Sequence, residues 1–316
     1  MSVQGVLSQL LALVTALLLA PLLGLGQPVA PLAAEQIGPG PAATLSRSAQ
    51  AVQQGVLVAE HASSLFRMAP YLIFGCMLLA SAIMPTLSTD LPLSPAADAI
   101  ALVGLFALAR VFISLAAMDM SAPPLAPGSA RREMLVGFLA EPALLMVLFC
   151  ASMITGSTSL TVIVETLAGR DLAIYPSLLL AGVAFTMVSL AENSRVPVDN
   201  PDTHLELTMI HEAMILEYSA RHLALLEWAA SLKLFAYSCM GLALFFPWGV
   251  AEAIRLLAML LALPVLVFKL ALGGMAMALI ETASAKMRIF RVPEFLGTAF
   301  LLAVIGLLVN VLLGVG

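Results

Sequence analysis

Apolar residues fill long continuous runs in this chain, and polar residues are confined to the gaps between them. Eight runs stand out, at about 3–25, 68–88, 96–118, 134–156, 173–191, 224–247, 251–279 and 294–314. A helix needs ~20 apolar residues to cross a bilayer, so each run predicts a transmembrane helix with some tilt. A membrane β-barrel would show short segments of alternating character instead. The expected fold is all-α, one polytopic helix bundle in a single membrane domain. An even number of crossings puts both termini on the same side.

The gaps differ in kind. The first, 26–67, opens with "QPVAPLAAEQIGPGPAA" and is expected to be irregular. Its half-amphipathic end, "EHASSLFRMAPY", leads into the second run. The third gap, "SAPPLAPGSARRE", reads as a proline-rich loop. The fifth, 192–222, is the most highly charged part of the chain. No internal repeat supports the inverted architecture of many transporters.

Composition agrees with the pattern. The chain is 61% hydrophobic and 10% charged, against about 45–50% apolar in soluble domains, and its mean hydropathy is +1.05. The net charge of −5 comes without a basic patch of the nucleic-acid-binding kind. Cys76, Cys150 and Cys239 lie far apart in apolar runs, without zinc or iron–sulfur spacing, and read as small buried hydrophobes. No Lys or Arg precedes Arg47, so the first run lacks the basic flank of a signal peptide and is read as a retained helix.

Charge gives an orientation. The odd-numbered gaps carry Arg47, Arg67, Arg131, Arg132, Arg195, Arg221, Lys286, Arg288 and Arg291; the even-numbered ones carry Arg170, with Arg255 just inside the seventh run. Nine basic residues against two place the odd gaps, including 192–222, in the cytoplasm and both termini outside.

The stretch 191–222 holds six carboxylates, two arginines and three of the four histidines. Pro197 and Pro201 interrupt any helix, Asp202 or Thr203 can cap a new one, and a helical pattern then runs to about Arg221. On such a helix His204, His211 and His222 share one face, and Glu206 and Glu217 share another roughly opposite. Like carboxylates at low dielectric cannot all stay ionised, and ionisable groups at membrane depth usually line a polar path. A proton or ion relay and an ordinary solvated loop both fit these residues. "HEAMI" lacks the second histidine of the zinc-protease motif, because position 215 is Ile. Within the runs lie Arg110, Asp119, Glu141, Lys233 and Lys269, with Glu281 at the end of the seventh. Asp119, Glu141, Glu206, Glu212, Glu217 and Glu281 are candidates for a carboxylate file leading inward from the cytoplasmic stretch.

The run "ENSRVPVDNPDTHLELTMIHEAMILEYS" resembles the central cytoplasmic loop of the membrane subunit of group 4 nickel–iron hydrogenases, of the formate hydrogenlyase and hydrogenase-4 type. That subunit is homologous to the H subunit of respiratory complex I. The segments "EHASSLFRMAPY", "REMLVGFLAEPALLMVLF" and "AKMRIFRVPEFLGTAFLLA" are similar to the same subunit. The resemblance implies a non-catalytic subunit of an oxidoreductase complex in the cytoplasmic (inner) membrane. It would dock a soluble arm of hydrogenase large and small subunits and an iron–sulfur subunit, and join it to antiporter-like membrane subunits. The nickel–iron centre and iron–sulfur clusters would lie in those partners, with no cofactor or metal in this chain. Arg195, Asp199, Glu206, Glu212 and Glu217 match the loop motif, and Glu141 matches the glutamate of the fourth span. Together with His204, His211, Asp119 and Glu281 they are the expected ion path. Arg67, Arg131, Arg132, Lys286, Arg288 and Arg291 are expected to face the arm. Three rivals are a quinone-site subunit of a complex I-type NADH dehydrogenase, a stand-alone ion transporter, and a membrane metalloenzyme, which the missing second histidine disfavours.

Overall fold

The computed structural model describes residues 3–23, 63–89, 91–119, 125–169, 175–198, 211–249, 256–284, 287 and 291–312. They form α1 (Val3–Leu23), α2 (Ser64–Ile83), α3 (Ala99–Met118), α4 (Leu125–Thr155), α5 (Leu160–Ala168), α6 (Pro176–Glu192), α7 (His211–Ile215), α8 (Ala220–Phe245), α9 (Leu256–Ala283) and α10 (Val292–Leu312). Seven of these are long and apolar enough to cross a membrane, and α6, 17 residues long, is a shorter apolar helix. All eight expected runs therefore correspond to helices.

Local chemistry sets the ends. Ser63 caps α2 by accepting from the Phe66 amide at 3.2 Å, and Asp98 caps α3 by accepting from Ile100 at 2.8 Å. Pro176 opens α6, where its missing N–H costs nothing. The same rule corrects the reading of the third gap. Pro127 falls in the first turn of α4, so the helix starts at Leu125 and absorbs most of the proline-rich segment. The fourth gap holds α5, which buries Leu160, Ile163, Val164 and Leu167.

The bundle has two ends. At one, Ser63 donates to Asp119, Tyr218 Oη donates to the Phe66 carbonyl at 3.2 Å, and the Met287 amide donates to the Pro197 carbonyl at 3.0 Å. These contacts join the first, third, fifth and seventh gaps, the ones rich in arginine. At the other end Gln9 donates to the Ala82 carbonyl at 2.8 Å, and the Leu160 amide to the Ala97 carbonyl at 2.7 Å.

Small residues allow close approach between helices. Ala12, Ala16 and Ala20 form the buried stripe of α1. In α10 the stripe is Leu296, Ala299, Ala303 and Gly306, and a Cβ on Gly306 would stand 3.0 Å from the Ser177 carbonyl. The helix α9 behaves differently. Met259, Ala262, Leu266 and Leu270 are buried, but from Ala271 to Ile280 all residues except the half-buried Met277 are exposed.

Candidate functional site

The site is built on α6 being short. It ends at Glu192, and that carboxylate meets Arg110, eight residues inside the end of α3. Eight residues of helix are about 12 Å, so the contact lies well inside the bundle. Arg110 is 7% exposed, and a guanidinium presents five donors in a rigid plane. Its Nε donates to Glu133 Oε1 at 3.3 Å, its Nη1 to Glu141 Oε1 at 3.0 Å, and its Nη2 to Glu192 Oε2. Glu133 and Glu141 both come from α4, with Gly137 midway between them.

Lys233 of α8 supplies the second cation. Its Nζ stands 2.9 Å from Glu192 Oε2 and donates to the Glu192 carbonyl at 2.6 Å. A cation at a helix C-terminus is favoured by the macrodipole, which offsets the cost of a carboxylate there. Tyr237, one turn further along α8, lies beside Glu192. Two fixed cations thus face three carboxylates. One negative charge is left over, and desolvation makes an uncompensated buried charge expensive. The arrangement favours holding one mobile cation, a proton being the smallest. Side-chain exposure grades the carboxylates: Glu192 1%, Glu133 11% and Glu141 29%. Glu141 is the most open of the three.

A second group lies at the arginine-rich end. Arg195 Nη1 pairs with Glu281 Oε1 at 3.3 Å, tying the turn after α6 to the end of α9. Phe66 and Tyr218 stack with centroids 4.1 Å apart, and Tyr71 meets the buried His222 edge-on. Burial first, then the nearby Asp119 and Glu217 charges, push the Tyr218 phenol above its ordinary value.

The expected site residues fall into three sets. Glu141 sits in the Arg110 cluster, Arg195 and Glu281 form a pair, and Asp119 and Glu217 flank Tyr218. Of the expected arm-facing residues, Arg67, Arg131 and Arg291 are exposed and Arg132 is half-buried. Asp199, His204, Glu206, Lys286, Arg288 and the side chain of Glu212 lie outside the described residues. The shared histidine face is corrected. His211 opens α7, which ends at Ile215, and His222 belongs to α8, which begins beyond a turn at Ala220 with φ +49. The two imidazoles stand on separate helices.

In sequence Arg110 and Lys233 are single charges within apolar runs, Glu192 adjoins the polar loop, and Glu133 and Tyr237 do not stand out. The spacing Glu133-x3-Gly137-x3-Glu141 was the available signal: two carboxylates and a gap on one helical face. Among the described residues, no group of three or more His, Cys, Asp and Glu side chains is arranged to hold a metal ion.

The NADH dehydrogenase family profile matches residues 8–312. The chain is 33% identical to formate hydrogenlyase subunit 4 of Escherichia coli (strain K12), over 74% of this chain and 75% of that one. It is 31% identical to hydrogenase-4 component C of the same organism, over 76% and 74%. In fold it resembles a chain of the membrane-bound sulfane sulfur reductase, an archaeal respiratory membrane complex, with a TM-score of 0.74 at 19% identity, covering 97% of this chain and 98% of that one. The chain belongs to the NADH dehydrogenase family, as a multi-pass membrane protein related to formate hydrogenlyase subunit 4 and hydrogenase-4 component C.

Proposed function

We propose that this chain is the membrane-anchor and ion-path subunit of an energy-converting hydrogenase complex in the cytoplasmic membrane. It docks a soluble nickel–iron and iron–sulfur arm on its arginine-rich end, and antiporter-like chains beside it continue the ion path. The observation that carries the reading is the Arg110 cluster, in which one guanidinium holds carboxylates from α4 and α6 at membrane depth. Such groups are costly there and mark ion pathways. The exposed Arg67, Arg131 and Arg291 present positive charge to an incoming arm, and the excess of basic residues at that end supports a cytoplasmic orientation.

In this reading, electron transfer in the arm changes the charge felt by the stretch 192–222. Arg195 and Glu281 transmit it to the end of α9. Glu192, at the other end of the same turn, transmits it to Arg110. A proton taken up by the cluster leaves through Glu141, the most open of its carboxylates. The family description also supports a second reading, a quinone-site subunit, which saturable binding of a quinone analogue by the purified complex would favour.

The test is Glu141→Gln in the intact complex in liposomes. Ion translocation should fall by an order of magnitude or more while subunits, nickel and iron stay stoichiometric. Undiminished translocation in that variant would overturn the reading.

A further inference from the structure

Gly137 stands four residues from Glu133 and four from Glu141 on α4. Steps of four keep residues on one helical face, about 6 Å apart. The two carboxylates therefore flank a bare patch of backbone, and the Arg110 guanidinium occupies it. A Cβ at position 137 would lie 2.6 Å from Arg110 Cδ and 3.0 Å from Cζ, and would overlap Nη1. At Gly75 and Gly104 a Cβ would meet nothing within 4 Å, and the other tight helical glycines, Gly182, Gly241 and Gly306, face the Phe245 ring, the Phe185 ring and the Ser177 carbonyl rather than a charged side chain. Alanine is the better helix former, so the helix itself gains nothing from glycine at 137. What needs it is the arginine.

We infer that Gly137 is a positioning residue for the ion path: its missing side chain is the slot that lets Arg110 lie against α4 and hold Glu133 and Glu141 together while it reaches Glu192. This rests on the relay reading above. The atom an added Cβ meets first, Nη1, is the one that donates to Glu141. A filled slot therefore detaches Glu141, the open end of the cluster. The charged groups acting on Glu141 are Arg110 from α3, Glu192 from α6, Lys233 from α8 and Glu133 from its own helix. Of the other helices packed on α4, α10 carries the exposed Glu294, α5 the exposed Glu165 and α7 the half-buried His211. With Arg110 displaced, Lys233 is the cation left to Glu141.

The experiment compares Gly137→Ala, Arg110→Lys, the double variant and the control Gly104→Ala, each in the intact complex. Two quantities are read: ion translocation in liposomes across a pH series, and the infrared titration of the Glu141 carboxyl, assigned by its loss in Glu141→Gln. Gly137→Ala should lower translocation about tenfold, as expected for losing a charge-assisted hydrogen bond, and change both its pH profile and the Glu141 titration. Gly104→Ala should change neither. Lysine lacks the broad guanidinium, so adding Gly137→Ala to Arg110→Lys should change translocation by less than about twofold. Equal losses from Gly137→Ala in both backgrounds, or a Glu141 titration unaltered by it, would overturn the slot. Undiminished translocation in Glu141→Gln would instead overturn the relay, and the infrared titration would still decide the slot.

Discussion

Lys233 holds Glu192 twice, by its carboxylate at 2.9 Å and by its backbone carbonyl at 2.6 Å. One ammonium thereby neutralises both the side chain and the helix end of the same residue. Arg110 Nη2 pairs with the same carboxylate oxygen, so two cations converge on Glu192 in the interior.

Removing Lys233 should therefore be severe. Taking one partner from a buried ion pair costs about 3–5 kcal/mol, and Lys233→Met should lower the thermal midpoint of the purified complex by several degrees. Lys233→Met combined with Glu192→Gln should be less damaging than the sum of the two, because the second change removes the stranded charge. Additive losses in thermal melts would contradict this pairing.

Tyr218 makes a pH-dependent contribution at the alkaline end. Its phenol is raised above the ordinary value of 10.0, by burial foremost. The folded protein holds that proton more tightly than the unfolded chain, so the associated stability is complete below pH 10.0 and is lost as the pH rises beyond it. Tyr218→Phe removes the titration and the hydrogen bond to the Phe66 carbonyl, at a cost of about 1 kcal/mol near neutrality. Denaturation series from neutral to alkaline pH should show wild type losing stability more steeply than the variant; parallel curves would refute the assignment.

Asp98 acts at the acid end. The Thr158 hydroxyl donates to it at 2.7 Å, the Ile100 amide donates to it as well, and the carboxyl is held below its ordinary value of 3.8. A lowered value means stability that is present above pH 3.8 and declines as the pH falls through and below it. Asp98→Ala should cost about 1 kcal/mol through loss of the helix cap. Asp98→Asn should retain most of the cap and flatten the acid dependence, which melts at pH 3 and pH 6 would reveal.

The helices were legible because each run is long, apolar and bounded by polar or proline-rich sequence. The Arg110 cluster was not, because its members come from positions 110, 133, 141, 192 and 233, and only packing of α3, α4, α6 and α8 brings them together. Glu192 misled for a specific reason. It adjoins a polar stretch, yet α6 is too short to carry it to the surface, so the carboxylate turns inward. The histidine face failed because Tyr218 is pinned by stacking on Phe66 and by its bond to the Phe66 carbonyl. The chain turns there, and a long helix from 203 to 221 cannot form. The pairing of Arg195 with Glu281 was equally hidden, although both residues were singled out, since 86 residues of sequence separate them.

The helix α9 is fastened rather than embedded. Lys269 hooks the carbonyls of Phe246 and Trp248 and lies 4.3 Å over the Trp248 ring. Arg195 holds the far end through Glu281. Between these two fastenings, residues 271–280 are exposed except for the half-buried Met277. The surroundings, lipid or a neighbouring helix, complete its packing, and segments with few internal contacts open at the lowest free energy. Extraction of the subunit from its membrane therefore strips one crossing of its solvent before any other, and the detergent that best replaces that contact will set how much of the fold survives on the bench.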